Sequence, residues 1–312
     1  MKRKVLVTPR SFGKLDTTPI EILENNDIEV IRNPYGRILT KEEMKEWVQE
    51  VDGIIIGVDP MDKEVIDSAP HLKAIAKYGV GTDNIDLNYA QEKNIPVTIT
   101  QGANADAVAE FTIALMLSVA RKVVQIDKEC RKSNWNKITT IDMNQKTLGL
   151  IGMGQIGKTV VKRLSGFEMN VLAYDLQQDE KFATDYDVTY VEHMEDVLKQ
   201  ADFISIHLPL NEHTKDIIDE RAFNIMKPEA VIVNTARGGL INEDALLKAV
   251  SNRQIWGAGI DVFEEEPPSN KKLLAEENII IGSHCAASTN QAIINMGKMA
   301  TENLIQSLSE KV

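Results

Sequence analysis

Cysteine and histidine are scarce in this 312-residue chain, basic residues are outnumbered, and no apolar run is long. The two cysteines, Cys130 and Cys285, form no CxxC pair. That excludes a disulfide scaffold and points to a reducing compartment. The most apolar stretch, Ala107 to Ala120, contains Glu110 and falls short of the ~20 residues that span a bilayer. Lys and Arg number 35 against 47 Asp and Glu, a net charge of −12. Nucleic acid and anionic membranes need basic patches, so neither is expected as a main partner, although a local basic pocket for a small anion remains open. Residues 1–10 show no signal peptide, and the chain shows no repeat, low-complexity tract or long linker. The expectation is a soluble, cytoplasmic protein of about two domains.

What is present is alternation. KVLVT (4–8), IEVIRN (28–33) and GIIIGV (53–58) read as strands, and PIEILENN (19–26) and EEMKEWVQEV (42–51) as helices. Continuous apolar runs suit buried parallel strands, and the βαβ order predicts an α/β unit. The segment 107–120 is apolar nearly all round, which predicts a helix buried on most sides, with Asn104 and Asp106 as candidate N-caps. Residues 121–140 are charged and read as an irregular connector or arm. From Thr147 a second α/β series supplies seven strand candidates by Ser283, and a final helix covers about 290–308.

LGLIGMGQIGKTVVKRL holds Gly152, Gly154 and Gly157 in G-x-G-x-x-G spacing between a strand and a helix. In that context the glycines allow a tight turn, approach of a pyrophosphate, and close helix packing. Asp175 ends the next strand, where a carboxylate can accept from adenosine ribose hydroxyls and repel a 2′-phosphate. The dinucleotide is therefore NAD. The bland alternative is a doubly wound domain whose turn is merely tight.

The stretch VIVNTARGG (231–239) poses a separate question, because an arginine follows a buried strand directly. Guanidinium is rarely buried without an anion. In open parallel sheets ligands bind beyond the carboxyl ends of the strands. Polar residues gather at those ends: His207, Thr235 with Arg237, Asp261 with Glu266, and His284. A histidine can exchange a proton, a neighbouring carboxylate can orient it, and an arginine fork can hold a substrate carboxylate. Each has a plainer reading alone: Glu264, Glu265 and Glu266 as a solvated loop, His284 as a buried satisfied histidine, Arg237 as partner of a structural acid. His71, His193 and His213 lie in polar or charged segments and carry little weight.

KYGVGTDNIDL (77–87), NADAVAEFTIALML (104–117), LGLIGMGQIG (148–157), SIHLPLNEHT (205–214), VNTARGGLINEDAL (233–246), GIDVFEEEPP (259–268) and SHCAAST (283–289) together resemble the D-isomer-specific 2-hydroxyacid dehydrogenases, over most of the chain and in family order. The resemblance implies two doubly wound parallel-sheet domains, with a Rossmann NAD-binding domain (103–284) inserted in a flavodoxin-like substrate-binding domain (1–102 and 285–312) and a cleft between them. It implies Arg237, Glu266 and His284 as the catalytic set, with Arg237 also binding substrate alongside Gly79 and Val80. The implied cofactor contacts are Gly152, Gly154, Gln155, Ile156, Gly157, Asp175, His207, Pro209, Thr214, Thr235, Ala236 and Asp261. A homodimer through the cofactor domain, with 121–146 as its arm, is implied too. No metal is expected.

The chain departs from the family in places. Ser283 stands where many relatives carry Pro before the histidine, and Cys285, Ala286 and Ala287 replace Ile-Gly-Gly. Cys285 reads as a small buried filler rather than a nucleophile. Lys77 stands where relatives often carry Arg, and no C-terminal regulatory extension follows the last helix. The loop holding Arg10, Ser11 and Lys14, with Lys77, could bind a phosphate or be a solvated turn. The substrate readings are 3-phosphoglycerate first, then hydroxypyruvate, glyoxylate or another short 2-oxo acid. An NADH-sensing binding protein, like the corepressors of this fold, is the alternative from another class.

Overall fold

The computed structural model describes residues 2–309. The chain divides into two compact units, one made of residues 1–104 and 288–312 and the other of residues 105–287.

The first, outer unit carries five strands: β1 (Arg3–Val7), β2 (Ile28–Arg32), β3 (Gly53–Ile56), β4 (Ala74–Lys77) and β5 (Val97–Thr98). They pair in parallel in the order β2-β1-β3-β4-β5. The four residues of β3 and the four of β4 are all buried, which explains their unbroken apolar character despite the terminal Lys77. Helices cover both faces. Val65, Ile66 and Ala90 pack in one cluster with Ile54, Ile56 and Ile75, while Leu23 and the final helix Asn290–Ser309, through Ala300, Leu304 and Leu308, pack on Val5, Val7 and Ile55.

Helix starts in this unit follow local chemistry. Thr40 and Glu43 form a reciprocal capping box, and the Asp62 carboxylate accepts from Glu64 N and Val65 N. The helix expected over 42–51 stops earlier, as Lys41–Trp47, and a helix Leu87–Glu92 that the sequence pattern did not isolate precedes β5.

The second, central unit carries β6 (Thr147–Ile151), β7 (Asn170–Tyr174), β8 (Val188–Tyr190), β9 (Phe203–Ile206), β10 (Val231–Asn234), β11 (Gly257–Ile260) and β12 (Ile279–Ile281). All pair in parallel, in the order β12-β11-β10-β9-β6-β7-β8. The seven expected strands are thus present in one doubly wound Rossmann sheet, and the direction of winding reverses between β6 and β9. Helix Ala105–Ala120 buries nine residues, among them Leu115, Met116 and Val119, on the side of the sheet lined by Leu148, Val231 and Val233.

Three local expectations change. Residues 121–140 are not irregular throughout, because Val123–Arg131 is helical. Neither proposed cap serves the helix Ala105–Ala120: Asp106 lies within it and accepts from Arg163 Nη2 at 2.8 Å, and the buried Asn104 Oδ1 has no hydrogen-bond partner. Residues 285–287 stay with the central unit, where the Asp261 carboxylate holds Cys285 N and Ala286 N.

Candidate active site

Side by side, β6 and β9 send their connections in opposite directions, which opens a crevice beyond their carboxyl ends. Gly152 leaves β6 at φ +99°, a conformation that side chains rarely adopt. A Cβ there would lie 2.5 Å from the His207 carbonyl, and one at Gly157 would lie 2.5 Å from the Gly152 carbonyl. Both glycines are therefore fixed by the chain's own packing.

Gly154 differs. A Cβ there meets no protein atom within 4 Å, and its φ of −67° suits any residue. It caps the helix Gln155–Leu164 without any side-chain hydrogen bond to the first turn. Open space over the exposed Gly154 and Gln155, with Ile156 next in the same turn, fits a pyrophosphate drawn to backbone N–H groups. Asp175 faces the same loop: Oδ2 accepts from Met153 N at 2.6 Å and Oδ1 from Gln177 N at 2.8 Å. The residues present fit a dinucleotide.

The connection after β9 is also held from within. The His207 Nε2 bonds the Ser205 hydroxyl at 2.9 Å, while Nδ1 is buried without a partner. Burial pushes the His207 pKa down to about 4, so the ring is neutral at physiological pH. The Thr214 hydroxyl donates to the Pro209 carbonyl at 2.7 Å and accepts from Asn211 N at 2.8 Å. Thr214 thus shapes the loop that carries Pro209.

At the end of β10, the buried Asn234 was not singled out from the sequence, yet it organises the arginine. Its Oδ1 accepts from Ala236 N at 3.0 Å and its Nδ2 donates to the Arg237 carbonyl at 2.8 Å. A short polar side chain ending an apolar strand is the signal for such a loop. The Thr112 hydroxyl gives its one proton to the Val108 carbonyl at 2.8 Å, so the Thr235 hydroxyl, 2.8 Å away, is the donor of that pair. Arg237 Nη1 donates to the Ala236 carbonyl at 2.6 Å. A Cβ at Gly238 would collide with the Phe263 carbonyl. That close approach sets the Arg237 loop against the Glu266 loop.

Glu266 Oε2 lies 2.8 Å from His284 Nδ1, and Glu266 Oε1 accepts from Phe263 N at 3.1 Å. Burial by itself raises the Glu266 pKa, but the His284 ring, the Phe263 N–H and the Arg237 charge bring it below the usual carboxylate value. Its contribution to stability is present above the unfolded-state pKa and is lost as pH falls through the lower folded one. The side chains of His284 and Glu266 are 45% and 37% exposed, so His284 is not the satisfied buried histidine of the plainer reading.

Asp261 has no exposed surface. Its carbonyl accepts from His284 N at 2.8 Å, its Oδ1 from Cys285 N at 3.0 Å and its Oδ2 from Ala286 N at 2.8 Å. Expected from the sequence as a cofactor contact, it instead spends both carboxylate oxygens on the loop that carries His284. Cys285 is only partly buried, with Sγ 3.6 Å from Asp261 Oδ1, so it is not a simple core filler.

In the outer unit, two expectations change. Gly79 N donates to the Thr100 hydroxyl at 2.9 Å, so this N–H is already committed, whereas Val80 N has no acceptor among the described residues. Lys77 is 5% exposed, and Nζ donates to the Gly57 carbonyl at 2.6 Å and Asn84 Oδ1 at 2.7 Å. It ties the ends of β3 and β4 together rather than lying in solvent.

The central unit therefore brings together Arg237, Glu266 and His284, and separately the glycine loop with Asp175 and His207. No group of His, Cys, Asp and Glu among the described residues could hold a metal ion. Replacing Gly154 by Val should cost the cofactor-free protein no more than about 1–2 kcal/mol, the loss of a better N-cap, since a Cβ there meets no neighbour within 4 Å. The same change should weaken NADH binding at least roughly tenfold, read by fluorescence titration. Unaltered affinity would mean that the open space over Gly154 is not used.

Comparison with known proteins shows the family. The sequence profile of the D-isomer specific 2-hydroxyacid dehydrogenase NAD-binding domain matches residues 113–286. A glyoxylate reductase of Thermococcus litoralis is 36% identical over 98% of this chain and 93% of its own length. A D-3-phosphoglycerate dehydrogenase of Methanocaldococcus jannaschii is 39% identical over 96% of this chain but only 56% of its own. The crystal structure of a D-lactate dehydrogenase from Aquifex aeolicus, complexed with NAD and lactic acid, is similar with a TM-score of 0.85 at 27% identity, covering 98% of this chain and 96% of that one. The chain belongs to the D-isomer specific 2-hydroxyacid dehydrogenase family and is an NAD-dependent oxidoreductase, not a binding protein alone.

Proposed function

We propose that the enzyme reduces short, unphosphorylated 2-oxo acids, with glyoxylate and hydroxypyruvate first among them. The observation that carries the chemistry is the Glu266–His284 contact at 2.8 Å beside Arg237. With Glu266 ionised, His284 donates Nδ1–H to it, which leaves Nε2 as the nitrogen that gives or takes the reaction proton. In reduction, protonated His284 delivers the Nε2 proton to the carbonyl oxygen as negative charge develops there. The adjacent Glu266 carboxylate holds the ring through Nδ1. Arg237 holds the substrate carboxylate and polarises the carbonyl. Gly154, Gln155, Ile156 and Asp175 would hold the nicotinamide coenzyme, which would supply the hydride when bound.

Lys77 supports the choice of substrate, because its ammonium is occupied between Gly57 and Asn84. Of the cations considered for a phosphate, only the exposed Arg10 and Lys14 remain. They keep 3-phosphoglycerate as the second reading.

The proposed assembly is a homodimer through residues 121–146. Helix Val123–Arg131 buries no residue, Val123, Val124 and Ile126 are exposed, and Trp135 is 80% exposed. Such a run of apolar surface on one segment suits burial against a second copy. A reducing, cytoplasmic location suits the two unpaired cysteines.

A panel of glyoxylate, hydroxypyruvate, pyruvate and phosphohydroxypyruvate with NADH should give the highest kcat/KM for an unphosphorylated acid. A clear preference for the phosphorylated acid would reverse the order. His284→Ala should lower kcat by about 10²–10⁴ while NADH affinity is retained; an equal collapse of NADH affinity would remove His284 from proton transfer. Trp135→Lys should shift a dimer toward monomer in sedimentation. A wild-type protein that already sediments as a monomer would end the assembly proposal.

A further inference from the structure

The loop that carries Glu266 has an anchor that neither the reaction nor the coenzyme uses. Residues 262–270 lie outside helix and strand, so tertiary contacts must set the direction of Glu266. Besides the burial of the Val262 and Phe263 side chains, three contacts of the main chain bear on its first half. Phe263 N donates to Glu266 Oε1, but this bond is internal to the loop and cannot fix it against anything else. The Phe263 carbonyl rests on Gly238, a contact that limits approach without giving direction. Glu264 N donates to Glu243 Oε1 at 2.8 Å. This hydrogen bond ties the main chain of 263–266 to the start of a helix outside the loop.

Glu243 is well placed to act as that anchor. It is the first residue of the helix Glu243–Ser251, whose Leu246, Ala249 and Val250 are buried. Asn242 caps the helix by accepting from Ala245 N, and it is fixed in turn by Asn242 N to the Ile218 carbonyl and Nδ2 to Asp216 Oδ1. We propose that Glu243 is a positioning residue for the Glu266–His284 pair, acting through the main chain of residues 263–266. Glu264 stands two residues before Glu266, so a shift of its N–H is passed along the chain to the carboxylate that orients His284.

The site is kept against an electrostatic cost. Burial pushes the Glu243 pKa up, and the nearby Glu264 and Asp244 charges push the same way, opposed by the Glu264 N–H. What the loop needs from position 243 is an acceptor oxygen, which an amide supplies as well.

The proposal rests on the assignment of Glu266 and His284 as the proton-transfer pair. Its test is a double-mutant cycle with kcat, KM for glyoxylate, NADH affinity and melting temperature measured throughout. Glu243→Ala should lower kcat roughly tenfold with NADH affinity unchanged, since a misplaced reacting group costs rate rather than coenzyme binding. Glu243→Gln should keep most of the activity. In an E266Q background, Glu243→Ala should change kcat less than about twofold, because residues acting as one unit are not additive. A wild-type kcat for Glu243→Ala would overturn the proposal. So would the same loss in both backgrounds, which is the mark of general destabilisation, or a Gln variant as impaired as the Ala one. If E266Q alone keeps full activity with Glu243 intact, the assignment of the pair itself fails, and that result is separate from any at position 243.

Discussion

Asp261 holds a carboxylate with no exposed surface, an arrangement that costs several kcal/mol unless the charge is satisfied. Two backbone N–H groups, of Cys285 and Ala286, reach its two carboxylate oxygens, and the His284 N–H ends on its main-chain carbonyl. His284 is thereby held at φ +54°, in the left-handed region that a histidine adopts only under constraint. Its imidazole meets Glu266 from that conformation. The packing is tight enough that a Cβ at Gly282 would strike the Asp261 carboxylate.

Polar side chains also secure the ends of β9 and β10. Asn234 folds its amide onto Ala236 and Arg237, the Thr112–Thr235 hydroxyl pair secures the end of β10, and Ser205 holds the His207 ring. None of these loops has regular secondary structure to define it, so short polar side chains returning to the main chain do so. Close backbone approach completes the work at Gly152 and Gly238, where the neighbouring carbonyls leave no room for a side chain. A rigid sheet with loops pinned in this way can place a guanidinium, a carboxylate and an imidazole with the accuracy that hydride and proton transfer demand.

Much of this was legible from the order of residues. Seven apolar runs after Thr147 became seven parallel strands, and the glycine spacing fell at the switch between β6 and β9. Errors arose where a polar residue had two plausible uses. Lys77 reads as a cation available to a phosphate, but a strand only four residues long buries its ammonium against Gly57 and Asn84. Gly79 reads as a backbone donor, but Thr100, 21 residues later, takes its N–H. Asn104 reads as a cap, but its oxygen has no partner. Residues 121–140 read as irregular because the helix Val123–Arg131 is only nine residues long and carries five charged or amide side chains among its few apolar ones.

The sequence by itself determined the class of fold and the coenzyme, and it singled out the candidate acid, base and guanidinium, because periodicity, glycine spacing and residue chemistry are local properties of the chain. Only the tertiary structure decided which of those polar groups face outward and which are spent on holding others in place. Asp261 and Glu266 are both acids just past the end of β11, five residues apart. One is sealed under a loop and the other meets His284, because a hydrogen-bond partner is chosen by distance in space, which residue order does not encode.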